Sequence, residues 1–212
     1  MGVITAEHPD TVEAESPKRR AILEAAGRLF MTEGYGAVSM DAVARAAGVS
    51  KATLYAHFGA KDRLFAAIIH EACETMRRTS GVEGALGDMP LRDALRSLGG
   101  QWLRFLLAEQ AIAVRRVVVA KGPKFPELAH AFFENGPRLS RAWIAGWIAD
   151  EVARGRLRCP DAERAAEQFV SLLTGELTLR VTLGLGGPPD DAVITQQVES
   201  TVDMFCRAYA PD

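Results

Sequence analysis

The chain has 212 residues, of which 48% are hydrophobic and 25% are charged, with a net charge of −2. This composition is ordinary for a globular protein, and no apolar run approaches the roughly 18 residues that cross a bilayer, which argues against a membrane protein. The three cysteines (Cys73, Cys159 and Cys206) are scattered, and the opening segment lacks the apolar stretch of a secretory signal. We therefore expect a reduced, cytoplasmic compartment.

Charge is unevenly distributed along the chain. Residues 1–16 carry four acidic side chains and no basic one, whereas residues 17–63 carry eight basic and four acidic side chains. The remainder is close to neutral. A compact basic segment on a neutral body favours a local contact with a polyanion over a protein coated in positive charge.

The first predicted elements are a tail and a helix. Residues 1–15 lack periodicity and are predicted to be a disordered tail. Ser16 and Pro17 then predict a helix start, with a capping hydroxyl and a proline at the first helical position. Gly34 predicts the end of this helix.

Two short helices follow, joined by a tight turn. Ser39 predicts the N-cap of a helix over about residues 40–47, and Ser50 predicts the N-cap of the next one. Gly48 lies between them, where a residue without a Cβ can adopt the left-handed conformation that the turn needs. A longer helix is then predicted over residues 61–79.

Glycine and proline recur at helix-length intervals through the rest of the chain. The segments between them show helical periodicity, and none alternates polar and apolar residues long enough to predict a strand. These segments cover residues 91–108, 110–120, 127–135, 138–154, 161–184 and 190–209. We predict an all-α fold of about nine or ten helices, with an N-terminal three-helix unit over residues 16–62 and a larger helical body over residues 63–212.

The second short helix carries side chains suited to DNA. Leu54 and Phe58 lie one turn apart and are predicted to pack inward. The opposite face then offers donors, a methyl group and an aromatic hydroxyl, which match base edges and phosphates in a major groove. The residues on that face are Lys51, Ala52, Thr53, Tyr55 and His57.

Residues 18–65 resemble the DNA-binding segment of the TetR family of regulators. The resemblance is carried by residues 25–30, 34–35, 39–51, 53–58 and 61–65. It implies that residues 50–58 form the recognition helix and that Lys51, Ala52 and Tyr55 face the bases. The phosphate contacts that it implies are Ser39, Thr53, Tyr55, His57 and Lys61.

Several of these residues have simpler alternatives. His57 would otherwise be an ordinary surface histidine. The basic residues 18–20 are either a solvated first turn or an arm that contacts DNA. Members of the family usually have a polar cap before the fourth helix, whereas this chain has Ala60, which costs that cap roughly 1 kcal/mol and puts a phosphate contact there in doubt.

Aromatic residues are concentrated beyond residue 80, where Trp143 and Trp147 lie on one helical face because they are four apart. The alternatives are plain core packing and an apolar ligand pocket with a few polar groups, and we predict the pocket. Its candidate residues are Trp102, Phe105, Phe133, Trp143 and Trp147. The polar groups that could serve it are Gln101, Arg104, Arg115 and Arg116.

The same body resembles the AefR-like C-terminal type through residues 115–118, 125–128, 136–137 and 167–169. That resemblance implies a lipophilic effector. We predict a homodimer through helices near residues 138–154 and 161–184, since the second of these carries apolar residues on more than one face. Glu176 and Arg180, spaced i, i+4, are either paired at the interface or an exposed helix pair.

The predicted function is a TetR-like repressor that a small lipophilic effector releases from a palindromic double-stranded DNA operator. The alternatives are a ligand-responsive activator and a helical interaction protein. An enzyme is not expected, because the sequence has no phosphate-binding glycine loop and no nucleophile elbow. His70 and Cys73 are too few for a metal site, so neither a metal nor a cofactor is predicted.

Overall fold

The computed structural model describes residues 16–79 and 89–211, with side chains described outside residues 76–79. These residues form ten α-helices and no strand, which confirms the predicted all-α fold. The helices are α1 (Pro17–Thr32), α2 (Met40–Ala46), α3 (Lys51–Phe58), α4 (Lys61–Thr79), α5 (Leu91–Leu107), α6 (Glu109–Lys121), α7 (Pro126–Phe133), α8 (Leu139–Ala153), α9 (Ala162–Thr182) and α10 (Asp191–Tyr209). The predicted tail over residues 1–15 lies outside the described residues.

Serine caps and a left-handed glycine shape the helix-turn-helix. Ser39 and Ser50 each accept a hydrogen bond from the backbone N–H three residues on, at 3.1 and 3.0 Å, and so cap α2 and α3. Gly48 between these helices has φ +66°. The capping hydroxyl predicted at Ser16 is wrong: this side chain makes no capping hydrogen bond, and α1 begins on the fixed φ of Pro17.

A buried aromatic cluster joins the N-terminal helices. Phe30 of α1, Tyr35 of the following turn and Phe65 of α4 are buried, with ring centroids 5.4, 5.6 and 5.9 Å apart. Leu54 and Phe58 belong to the same core and bury the inner face of α3. The outer face of α3 is therefore held in a fixed orientation relative to α1 and α4.

The N-terminal core continues into the larger body. Leu128 of α7 is fully buried in this core, and Val118 of α6 also reaches it. The Phe125 ring, in the turn between these helices, lies 5.7 Å from the Tyr35 ring. A movement of α6 or α7 would therefore be transmitted directly to the N-terminal helices.

A second core lies among α5, α8, α9 and α10. Phe169 of α9 and Phe205 of α10 are fully buried and meet edge to face, with ring centroids 5.2 Å apart. Gly99 allows α5 to approach α9 closely, since a Cβ at this position would lie 3.1 Å from the Leu173 side chain. The β-prone residues 117–119 are helical, within α6, as the periodicity predicted.

The helix break predicted at Gly136 and Pro137 is not a break. The chain passes from α7 to α8 through a π-helical segment, Glu134–Arg138. Gly136 is buried against α4, where an added Cβ would lie 3.1 Å from Ile69. This glycine therefore serves close packing between helices and not a reversal of the chain.

Candidate nucleic-acid interface

The outer face of α3 gathers most of the proposed DNA-contact residues. Lys51, Ala52, Tyr55 and His57 are exposed, with 46% of Tyr55 accessible. Thr53 lies half-buried at the edge of this face. The arrangement provides an ammonium, a methyl group, an aromatic hydroxyl and an imidazole, which are groups that contact DNA in a major groove.

Lys51 is held by α2 in the free protein. Its Nζ lies 2.6 Å from Asp41 Oδ2, and this hydrogen bond raises the pKa of the Lys51 ammonium. Both side chains are largely exposed, so the pair contributes little to stability. The ammonium has three donors, so it can bind a base edge or a phosphate beside this carboxylate.

Two of the predicted phosphate contacts lie apart from this face. Ser39 is exposed and uses its hydroxyl to accept the Ala42 N–H, which leaves the hydroxyl proton for another acceptor. Lys61 is partly buried, with Nζ 4.4 Å from the Tyr35 ring centroid. Burial lowers the pKa of the Lys61 ammonium, and the Glu127 carboxylate opposes that shift. Lys61 therefore faces the aromatic cluster.

Ser50→Ala removes the cap that orients α3. The Ser50 hydroxyl accepts the Thr53 N–H and lies 2.8 Å from the Thr53 hydroxyl. We expect the free energy of unfolding, measured by urea denaturation, to fall by about 1 kcal/mol. Ser50→Asp keeps a capping acceptor and should match the parent. Equal losses in the two variants would show that the cap is not what stabilises α3.

A polar cleft beside α3 contains two arginines, Arg19 of the basic run 18–20 and Arg63, which the sequence left out of the site. The cleft measures about 430 Å³, and its lining includes Arg19 of α1, Tyr55 and His57 of α3, and Arg63 of α4. In the sequence Arg19 is only part of a basic run, and Arg63 has no distinguishing spacing. They are identified as candidate site residues only because the fold places both on one cleft.

The predicted effector residues divide between core and surface. Trp102 is 4% exposed and lies beside Phe105, with ring centroids 6.1 Å apart. Trp143 and Trp147 pack, partly buried, against the same core. Phe133 lies apart from them on α7 and is 46% exposed. Phe105 also lines a largely apolar cleft of about 490 Å³ between α1, α4 and α5.

Enclosed polar atoms without a hydrogen bond are concentrated in the larger body. Among the described residues they include Gln101 Oε1, Trp102 Nε1, Arg115 Nη1 and Trp147 Nε1. Burial also lowers the pKa of the Arg115 guanidinium. Unpaired buried groups cost free energy, which a bound water or ligand with matching polar atoms would offset.

The described part of the chain has no cluster of three or more His, Cys, Asp or Glu side chains that could hold a metal ion. Burial raises the pKa of the Cys73 thiol, and its hydrogen bond with Ser140 opposes that shift. Within residues 16–79 and 89–211, none of the helices combines the length and apolarity that a transmembrane span requires.

Two protein-family models match the chain. One, described as bacterial regulatory proteins, tetR family, matches residues 22–68, and the other, described as AefR-like transcriptional repressor, C-terminal domain, matches residues 93–211. The HTH-type transcriptional repressor Rv1474c of Mycobacterium tuberculosis is 28% identical over 194 residues, covering 87% of this chain and 92% of that protein. The HTH-type transcriptional activator FasR of Mycolicibacterium smegmatis is 41% identical over 69 residues, 32% of this chain and 31% of that protein.

Among solved structures, the flavonoid-responsive regulator FrrA is 36% identical to this chain with a TM-score of 0.75, and the match covers 92% of this chain and 97% of that one. The fold and the exposed helix of the turn motif define a helix-turn-helix regulator of transcription. The chain belongs to the TetR family of transcriptional regulators, with a C-terminal domain of the AefR-like type. TetR-family regulators bind DNA operators as dimers.

Proposed function

We propose that this protein is a repressor that binds a pseudo-palindromic operator as a homodimer and leaves it when an apolar small molecule binds the helical body. The observation that carries the proposal is the outer face of α3, a capped and rigidly packed helix that presents Lys51, Tyr55 and His57 to solvent. Two such helices related by a two-fold axis would enter successive major grooves about 34–36 Å apart.

The proposed contacts follow from the chemistry of that face and its neighbours. Lys51 offers the bases a donor, Ala52 a methyl group and Tyr55 an aromatic hydroxyl. Phosphates are contacted by Ser39, Thr53, Tyr55, His57 and Lys61. Lys61 first has to turn away from the Tyr35 ring, so its contact forms only on binding.

Exposed apolar surface on the last two helices supports the dimer. Leu179 of α9 and both Val193 and Met204 of α10 are 39% to 58% exposed, and Leu183, which follows α9, is 63% exposed. The two helices pack against each other within the chain. We infer that α9 and α10 pair with α9 and α10 of a second copy across the two-fold axis, which buries these side chains.

The sequence predicted a dimer through α8 and α9, whereas the interface proposed here uses α9 and α10. Ile144 and Ile148 of α8 are fully buried in the core of their own chain, so they are not available to a partner. Glu176 and Arg180 form a contact of 3.1 Å along α9, with both side chains exposed in the single chain.

Leu179→Glu should weaken the dimer at least about tenfold, because it places a carboxylate on an apolar surface that the partner would bury. Sedimentation velocity over a concentration series measures the change. Phe133→Glu is the matched control, since Phe133 is 46% exposed on α7, a helix that packs against α4 and α6. If both variants remain as dimeric as the parent, the interface lies elsewhere.

We place the effector in the larger body, among Trp102, Phe105, Trp143 and Trp147. Two enclosed atoms of the same body have no hydrogen bond: Gln101 Oε1 would supply an acceptor to the effector, and Arg115 Nη1 would supply a donor. FrrA is described as flavonoid-responsive, and a flat aromatic molecule with hydroxyl groups suits apolar walls with few polar atoms. Binding would tilt α4 and change the spacing of the recognition helices, because the effector prefers the geometry that does not bind DNA.

Selection of duplexes from a randomised pool tests this function. We expect enrichment of two inverted half-sites, and recovery of no preferred sequence would contradict operator binding. The flavonoid quercetin is then added as a probe to the selected complex. Release of the DNA would support an aromatic effector, whereas retention of an otherwise specific complex would contradict the effector class alone.

A further inference from the structure

We propose that the cleft between α1, α3 and α4 seats one phosphate of the DNA backbone, held by Arg19 and Arg63. This inference rests on the proposed DNA-binding function and extends it. It adds a residue of α1, and a second residue of α4 besides Lys61, to the proposed contacts with the DNA backbone.

Both guanidinium groups converge on the turn between α3 and α4. The Arg19 guanidinium carbon lies 5.8 Å from the centroid of the Phe58 ring. Arg63 lies over the next residue, since a Cβ built on Gly59 would be 3.6 Å from Arg63 Nη1. Gly59 has φ +68° and ends α3. Two cations from separate helices therefore border the same polar cleft of about 430 Å³.

The side chains around the cleft suit an anion, and their positive charge also faces the partial negative charge of the C-terminal turn of α3. The described lining also contains the Tyr55 and His57 side chains and no carboxylate. Arg63 is exposed and has no ion-pair partner within the described part of the chain. Arg19 Nη1 lies 3.7 Å from Glu71 Oε2 of α4, so one carboxylate stands behind this arginine. Two guanidinium groups facing one cleft gain from an anion placed between them.

The position of the cleft identifies the anion as a backbone phosphate. Tyr55 and His57 belong both to the cleft and to the outer face of α3. A phosphate in the cleft would therefore be contiguous with the bases that this face reads, and contacts of this kind set the register of a protein on DNA. Because Arg63 stands on the first turn of α4, a tilt of α4 would also displace this contact.

The test compares Arg63→Gln with Arg28→Gln in duplex-binding titrations over a range of salt concentrations. Arg28 is an exposed arginine of α1, nine positions from Arg19 and thus on the opposite face of that helix. For Arg63→Gln we expect roughly five- to tenfold weaker binding to operator and unrelated duplexes alike. The slope of log K against log salt should become shallower by about two, one for each half of the dimer. Arg28→Gln should match the parent.

Equal salt slopes for Arg63→Gln and Arg28→Gln would show that the cleft does not bind a backbone phosphate, while leaving the proposed function intact. A parent protein that binds no duplex overturns both. Arg19→Gln, checked for an unchanged melting temperature, should repeat the Arg63→Gln result. Inorganic pyrophosphate serves as a free-anion probe: if Arg63→Gln weakens pyrophosphate binding but not the salt slope on DNA, the cleft takes a soluble anion and the proposal is wrong.

Discussion

A variant that combines Lys51→Ala with Tyr55→Phe is expected to bind the selected operator about a hundredfold more weakly than the parent while staying folded. Both side chains are exposed, so their loss leaves the core of the helix-turn-helix intact. A good bidentate contact with a base is worth roughly a five- to 150-fold discrimination between bases. Removing Lys51 also leaves the Asp41 carboxylate without this partner beside the DNA, where it repels phosphate.

Fluorescence anisotropy with operator and unrelated duplexes measures the effect. The loss should be larger on the operator than on unrelated DNA, because base contacts carry sequence information and phosphate contacts do not. Asp41→Asn is the matched control: it releases Lys51 without removing it and should bind at least as tightly as the parent. Undiminished operator binding by the double variant would show that the outer face of α3 does not read the bases.

Phe169→Ala should lower the free energy of unfolding by about 3–5 kcal/mol, a large share of the stability of an ordinary domain. Phe169 is fully buried in the core among α5, α9 and α10, and its ring meets Phe205 edge to face. Truncation removes that contact and leaves a cavity next to Gly99, where the packing is already close. Urea denaturation followed by circular dichroism provides the measurement.

Phe133→Ala is the matched control for the core. It makes the same chemical change on α7, at a side chain that is 46% exposed, and should alter stability by less than about 1 kcal/mol. Similar losses in the two variants would mean that Phe169 does not occupy the centre of the core. The same pair tests an effector role for Phe133, because a lost response to the effector without a loss of stability would place that ring at the binding site.

The helix-turn-helix was predictable from sequence because its signals are local. Ser39 and Ser50 cap their helices through hydrogen bonds to residues three positions on, and Gly48 adopts a conformation that depends on its own lack of a Cβ. Leu54 and Phe58 are one turn apart, so their shared buried face follows from helix geometry alone. The exposure of the opposite face then required no knowledge of the rest of the chain.

Features that depend on distant residues were not predictable in this way. Gly136 looked like a helix break, because its contact with Ile69 of α4 cannot be read from neighbouring residues. The phosphate contact of Lys61 stays a prediction, but the position of its ammonium over the Tyr35 ring could not be read from neighbouring residues. The cleft residue Arg63 was missed for the same reason, since its significance comes from a second arginine on another helix.

The effector residues show the same division. The spacing of Trp143 and Trp147 predicted a shared helical face, and both pack against the larger core. Whether such a face lines a cavity or fills a core depends on which helices cover it, and that is a property of tertiary packing. Gln101 and Arg115 were predicted as polar groups of the pocket, but which of their atoms are enclosed without a hydrogen bond emerges only from the packing.

The most direct test of the account is the effect of half-site spacing on binding. An insertion of five base pairs between the two halves of the selected operator turns one half-site to the opposite side of the DNA, because a turn contains about 10–10.5 base pairs. If two α3 helices enter successive major grooves together, affinity should fall to that of a single half-site. A protein that binds the lengthened operator as tightly as the original would contradict the paired recognition helices on which the account depends.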